Sequence, residues 1–124
     1  QRLVIDCPSF NPLDEADMER CSDLISYMNV EPVLVMSAEG HPMDLEDNAR
    51  AFAAAGCKRV ILTKIDAVRR RGGAIAAISS ARLSIAQLGL TSSVRGGLAP
   101  ASAGRIARLF VTGNTEAELL KGAA

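Results

Sequence analysis

The chain has 124 residues, which is enough for a single domain with a buried core. Hydrophobic residues make up 48% of it, yet it holds three Phe, one Tyr and no Trp, so the core is aliphatic and aromatic platforms for stacking nucleic-acid bases are excluded. Lys plus Arg and Asp plus Glu number 14 each, so we expect no direct binding of nucleic acid through net charge. Without a membrane-length apolar run or a visible signal peptide, the sequence predicts a cytoplasmic protein.

The cysteines and the histidine limit the chemistry further. Cys7, Cys21 and Cys57 form no Cys-x-x-Cys pair, which is typical of reduced, packed thiols rather than of disulfides or a zinc site. The single histidine, His41, argues against a Ser-His-Asp triad and against a metal site built from several histidines. The sequence therefore predicts no metal centre of its own, and it predicts that His41 is an exposed bystander in a polar loop.

The first half of the chain alternates strand-like and helix-like segments. An apolar run over residues 3–7, ended by Pro8, predicts a buried strand. Apolar residues recur at helical spacing over residues 14–28, and acidic residues in the first turns suit the helix dipole. Residues 32–38 predict a second buried strand, and residues 44–55 predict a helix that Gly56 ends.

The second half continues the alternation. Residues 59–63 predict a third strand, residues 73–81 a short helix of small side chains, and residues 83–88 a fourth strand that ends at Gly89. Residues 102–111 predict a helix with Ile106, Leu109 and Phe110 facing inward. Thr115 and Glu118 fit a capping box that opens a last short helix.

This order of elements predicts an α/β fold, a three-layer α/β/α domain whose mostly parallel sheet of about four strands is covered by helices on both faces. Ligands of such sheets bind outside the carboxyl ends of the strands. Four positions lie at the carboxyl ends of predicted strands: Asp6, Ser37, residues 63–66 and residues 89–92. We therefore expect them to line one rim of the sheet.

The most informative motif is Thr63-Lys64-Ile65-Asp66, directly after the third predicted strand. An aspartate carboxylate there can accept hydrogen bonds from the ring N–H and the exocyclic amine of guanine, a pattern of donors that adenine does not offer. The lysine stem can lie over the flat base. The same residues also fit an ordinary strand-to-loop turn with solvated charges, so the motif gains meaning only from its surroundings.

Those surroundings resemble the carboxyl-terminal half of a signal-recognition-particle-type GTPase domain, a family that includes the particle's GTPase, its receptor and the GTPase that places bacterial flagella. Four landmarks in residues 3–111 carry the resemblance: Leu3-Val-Ile-Asp6, the stretch from Glu39 to Phe52, Thr63-Lys-Ile-Asp66 followed by Arg71-Gly72-Gly73-Ala74, and Gly89-Leu90-Thr91. The third landmark is the specific one. The resemblance implies part of a P-loop GTPase domain over residues 1–113 and a short tail over residues 114–124.

The departures from the family pattern are equally informative. The family's Asp-Thr-Ala-Gly-Arg becomes Asp6-Cys7-Pro8-Ser9-Phe10, which removes the glycine that approaches the γ-phosphate. The chain holds no Gly-x-x-x-x-Gly-Lys-Ser/Thr loop, so it lacks the phosphate cradle and the hydroxyl that binds Mg²⁺. By resemblance, the P-loop and its strand would precede Gln1. We therefore expect no GTP hydrolysis by this chain alone. The missing strand would leave a gap in the middle of the sheet between residues 3–7 and 33–38, so we expect either that these two strands pair directly or that another chain covers an edge, with self-association at high concentration.

The resemblance implies GTP or GDP as ligand, with Mg²⁺ in the intact protein, and a role in protein targeting or flagellar biogenesis. It gives Asp6 a catalytic role and assigns nucleotide contacts to Thr63, Lys64, Asp66, Gly89, Leu90 and Thr91. It places Arg71, Gly72 and Gly73 in a loop near an interface with a second copy or with another family member. It also implies peripheral association with the inner face of the cell membrane.

Other functions stay open at this point. The Cys-Pro-Ser-Phe segment favours a degenerate G-like domain that has lost catalysis and serves as an interaction or regulatory module. A receiver-like domain is a weaker fit, because it needs an acidic pair on the first strand and residues 3–7 offer only Asp6. Residues 69–71, three arginines, fit either a solvated loop or contacts with phosphates, anionic lipid or an RNA backbone.

Overall fold

The structure is a computed structural model that describes residues 2–111. Its elements are α1 (Glu15–Met28), β1 (Val33–Ser37), α2 (Pro42–Ala54), β2 (Arg59–Thr63), a single 3-10 turn (Ile65–Ala67), α3 (Gly72–Ser80), β3 (Ser84–Gly89), β4 (Leu98–Pro100) and α4 (Ala103–Arg108). The helices and strands predicted between residues 14 and 111 are confirmed in type, and their ends shift by a few residues. The capping box at Thr115 and the tail over residues 114–124 lie outside the described residues.

The four strands form one open sheet in the order β1-β2-β3-β4. β1, β2 and β3 are parallel, with Val35 beside Ile61 and Ser37 beside Thr63. β4, which the sequence did not predict, runs antiparallel to β3 and places Ala99 beside Leu88. The predicted α/β class with a mostly parallel four-stranded sheet is therefore confirmed. Within residues 2–111, every helix falls short of the length or apolar character that crossing a bilayer requires.

The prediction of a buried strand at residues 3–7 is wrong. These residues have no strand structure, and the side chain of Val4 is 92% exposed. An apolar run becomes a strand only where a neighbouring strand pairs with its backbone and a core covers its side chains. Neither is supplied here, because the described sheet ends at β1, whose only neighbour in it is β2. Asp6 consequently does not lie at the end of a strand.

One face of the sheet carries the core. The strand register places Leu34 beside Val60, and it places Met36, Leu62 and Leu88 in one row. These side chains are buried in one cluster with residues of the two helices that pack on each other, α2 and α3. The buried helical members of the cluster are Leu45, Ala49, Ala74, Ala77 and Ile78. The sheet therefore rests on a single layer formed by these helices.

The opposite face of the sheet is exposed along β1. Successive residues of a strand point to opposite faces, so Val33 and Val35 lie away from the buried Leu34 and Met36. Val35 is 65% exposed and Val33 is also exposed. Further into the sheet, Ile61 and its neighbour Gln87 are half-buried, so the exposure of this face is greatest at its β1 edge.

Side-chain caps explain where the helices begin. The Asp14 carboxylate accepts a hydrogen bond from the Asp17 N–H at 3.2 Å and opens α1. His41 opens α2 in the same manner, because its Nδ1 accepts from the Met43 N–H at 3.3 Å and Pro42 occupies the first helical position. His41 is exposed, as predicted, but it has a structural task and is not a bystander.

The last described helix, α4, is shorter than predicted. Ser102 caps it by accepting a hydrogen bond from the Arg105 N–H at 3.1 Å, and the helix ends at Arg108. Leu109 is buried and Ile106 packs against the core, so their predicted inward orientation is confirmed. Phe110 is 60% exposed, so its predicted orientation is wrong. The helical spacing that would turn its ring inward does not continue past the end of α4.

Candidate functional site

The carboxyl ends of β1 and β2 meet at one rim of the sheet. The Ala38 N–H donates to the Thr63 carbonyl at 2.9 Å, and the Thr63 hydroxyl donates to the Met36 carbonyl at 3.2 Å. Thr63, the last residue of β2, thereby ties the two strand ends together. These hydrogen bonds fix the position of the backbone from which the rest of the motif, residues 64–66, continues.

In the turn after β2, a buried side chain lies between two charged side chains that reach the surface. Lys64 adopts the left-handed region, with φ of 56°, which is uncommon for a residue other than glycine. Ile65 is fully buried, whereas Lys64 is exposed and Asp66 is half-buried. The buried isoleucine between them holds both charged side chains at the surface of the rim.

The end of β3 approaches the same turn closely. A Cβ added at Gly89 would lie 3.1 Å from the Thr63 Cα, so a larger residue would push the two strand ends apart. Leu90 is 0% exposed and its N–H donates to the Gly97 carbonyl at 2.9 Å. The Leu90 side chain belongs to the core, and the nucleotide contact predicted for this residue stays a prediction. Thr91 is half-buried, and its Oγ1 accepts from the Ser93 N–H at 3.0 Å.

An ion pair that the sequence motifs do not reveal crosses the rim. The Lys64 ammonium lies 2.7 Å from a carboxylate oxygen of Glu39, which follows β1. This hydrogen bond and the attraction between the charges raise the pKa of Lys64 and lower the pKa of Glu39. In the sequence, Glu39 stands out only as the start of one landmark of the family likeness. Its place just beyond a predicted strand puts Glu39 on the predicted rim, but that position alone does not reveal Lys64 as its partner.

Arg71 takes a structural place and is not available as an interface residue. Its side chain is 3% exposed, its Nε donates to the Ile65 carbonyl at 3.1 Å, and an Nη donates to the Leu109 carbonyl at 2.8 Å. Burial lowers the pKa of Arg71, and the nearby Asp66 carboxylate opposes that effect. The prediction that Arg71 serves an interface or a solvated loop is therefore wrong. Its guanidinium instead joins the motif turn to α4.

Gly72 and Gly73 open α3 and are half-buried. A Cβ added at Gly73 would lie 2.7 Å from the ring of Pro42, so this glycine allows the starts of α2 and α3 to pack closely. Arg69 and Arg70, in contrast, are exposed beside this helix start. The loop thus contributes packing through its glycines and solvated charge through two of its arginines.

Asp6 does not join the other predicted site residues. It is exposed in the segment without strand structure, together with Cys7, Pro8 and Ser9. Over residues 2–111, no group of three or more His, Cys, Asp and Glu side chains is arranged to hold a metal ion. The Mg²⁺ that the family resemblance implies for the intact protein stays a prediction.

The structure thus brings together Thr63, Lys64, Asp66 and Gly89, and adds Glu39 to them. The arrangement can accept two hydrogen bonds at one carboxylate and can support a flat ring on a lysine stem. Comparisons of the chain with protein-family models, with curated proteins and with solved structures found no match in any of the three. The class of protein that is established is an α/β domain with an open, mostly parallel four-stranded sheet.

Proposed function

We propose that the chain recognises the base of guanine nucleotides, as part of a GTPase domain of the signal-recognition-particle type. The observation that carries the proposal is the turn after β2, where Lys64 and Asp66 reach the surface on either side of the buried Ile65. The end of β3 packs against that turn at Gly89. A base bound at this rim therefore meets a carboxylate, a lysine stem and backbone from the next strand.

Guanine fits this combination for a specific chemical reason. Its N1–H and its exocyclic amine are two adjacent donors, and an ionised carboxylate accepts hydrogen bonds with both of its oxygens. Adenine has an acceptor at N1, which would face the carboxylate lone pairs with nothing to donate. Hydrogen bonds to a charged acceptor are stronger than neutral ones, so Asp66 has the means to discriminate between the two bases.

The proposal extends to base recognition and not to hydrolysis by this chain. Phosphoryl transfer needs a phosphate cradle and stabilisation of the charge that develops on the phosphate, and the chain holds no P-loop sequence. By resemblance, GTP or GDP is the ligand, the partner is a second copy or another family member, and the setting is protein targeting or flagellar biogenesis in the cytoplasm or at the inner membrane face.

A second candidate is a G-like domain that has lost nucleotide binding and serves as an interaction module. One observation favours it: residues 6–9, where the family places catalytic residues, are exposed and outside the sheet. The two proposals differ in what they require of the rim, because an interaction module has no need of a base-selective Asp66.

Titration of the purified protein with GDP, ADP and xanthosine diphosphate, followed by NMR chemical shifts, separates the two proposals. The wild type is expected to bind GDP in preference to ADP. Asp66→Ala is expected to weaken GDP binding by more than about tenfold, since two hydrogen bonds to a charged group are lost. Asp66→Asn is expected to favour the xanthine base, because an amide donates to the C2 carbonyl while its oxygen accepts from N1–H.

Asp47→Asn is the matched control, because Asp47 is an exposed aspartate on α2 away from the motif. It is expected to leave both affinity and base preference unchanged. Equal binding of GDP and ADP by the wild type would overturn the proposal in favour of the interaction module. Magnesium-dependent GTP hydrolysis by the purified chain would contradict the restriction to base recognition.

A further inference from the structure

The Lys64 side chain lies along the rim rather than extending into solvent. Its backbone leaves β2 in the left-handed region, and its ammonium reaches Glu39, 25 residues earlier in the chain. Glu39 follows β1, and β1 is the neighbour of β2. The four methylenes of the lysine therefore span the distance between the carboxyl ends of two adjacent strands.

Glu39 is itself oriented by its own loop. The Glu39 N–H donates to the Ser37 hydroxyl at 3.1 Å, and that hydroxyl donates to the same carboxylate oxygen that receives Lys64, at 3.3 Å. Ser37 ends β1 and lies beside Thr63 in the register of the sheet. The carboxylate is thus held by the strand end next to the motif.

We propose that Glu39 is a positioning residue for the nucleotide base. Its ion pair fixes the Lys64 side chain across the rim, where the methylene groups can support the ring of the base. This inference rests on the proposed recognition of guanine. A lysine side chain has many rotamers, and binding is weaker when they must be ordered at the moment the ligand arrives. An ion pair that orders the stem beforehand removes part of that cost.

The pair has little other use. Both side chains are largely exposed, and exposed ion pairs contribute little to folding stability. Both groups are charged at neutral pH, and their pairing raises the pKa of Lys64 and lowers the pKa of Glu39 further from neutrality. Lys64 also cannot lie over a base and extend freely into solvent at once, so its partner decides which of the two arrangements is populated.

A double-mutant cycle on GDP affinity tests the inference, with GDP and ADP as the probes. Glu39→Gln is expected to weaken GDP binding about threefold to tenfold, the cost of ordering one lysine side chain. Lys64→Met is expected to weaken it as well, and the double variant is expected to bind no more weakly than Lys64→Met alone, because the two residues act as one unit. In salt near 1 M the Debye length is about 3 Å, so the ion pair is screened. The GDP affinity of the wild type is then expected to fall toward that of Glu39→Gln, and the GDP affinity of the variant is expected to change less with salt.

Glu31→Gln is the matched control, since Glu31 forms the other exposed ion pair between the β1 and β2 segments. That pair joins Glu31 to Arg59 at 2.6 Å, at the opposite end of the strands. This variant is expected to leave GDP affinity and its salt dependence unchanged. If the wild type binds GDP in preference to ADP while Glu39→Gln binds GDP equally well or more tightly, the positioning role is overturned and base recognition stands. If the wild type shows no preference for GDP, both proposals fall.

Discussion

Replacing Arg71 with methionine tests whether one buried guanidinium fastens the motif turn to α4. The side chain donates to the Ile65 carbonyl at 3.1 Å and to the Leu109 carbonyl at 2.8 Å. A hydrogen bond that involves a charged group contributes about 1.5–3 kcal/mol to stability. The cost of burying the charge offsets part of this, so we expect Arg71→Met to lower the free energy of unfolding by about 3 kcal/mol.

Urea denaturation followed by circular dichroism measures this loss as a lower midpoint with an unchanged slope. Arg71→Lys is expected to lose about half as much, because an ammonium keeps the charge but lacks the fork that reaches two carbonyls at once. Arg70→Met is the control, since Arg70 is the exposed neighbour, and its effect is expected to stay within about 0.5 kcal/mol. If Arg71→Met unfolds at the same urea concentration as Arg70→Met, the guanidinium does not fasten the turn and the reasoning is refuted.

Two further predictions concern the open sheet and a buried thiol. Because β1 is an edge strand of the described sheet and Val35 is exposed on it, we expect the protein to self-associate at high concentration. Val35→Lys is expected to reduce the mass that light scattering measures. A wild-type protein that stays monomeric at millimolar concentration would contradict this expectation. Burial raises the pKa of Cys57 from 9.0 to about 11, so the folded state keeps a proton that the unfolded state releases. Stability is therefore expected to fall by up to about 2 kcal/mol as pH rises through that interval, and alkaline melts should show a shallower decline for Cys57→Ala than for Cys7→Ala.

Much of the fold was predictable because its signals are local. The strand over residues 59–63 was predicted with the bounds that the structure has, since a short apolar run between a helix end and a charged turn has few other interpretations. The positions of Lys64 and Asp66 at a strand end followed from the same pattern. Residues 3–7 have an equally strong strand pattern, and there the prediction failed. A pattern describes what a segment would bury, but it does not supply the neighbouring strand that burial requires.

The contacts that complete the candidate site were beyond sequence reasoning because they join distant residues. Lys64 meets Glu39 across 25 residues, and Arg71 meets Leu109 across 38. Nothing in the spacing of a charged residue reveals a partner at such a distance until the order and register of the strands are known. The run of three arginines shows the same limit, because only the fold separates the buried Arg71 from its exposed neighbours.

In the proposed function, base recognition and phosphate binding would use different parts of the rim, and Lys64 and Asp66 would serve the first. A carboxylate, a lysine stem and the close approach of Gly89 come from β1, β2 and β3, which are adjacent and parallel. Each of these contacts joins the ends of two neighbouring strands, so these three strands suffice to hold Lys64 and Asp66 in place. By the family resemblance, the strand that leads into the P-loop would lie beside β1, and residues 2–111 place no strand there. The proposed base recognition therefore depends only on strands that the described sheet contains.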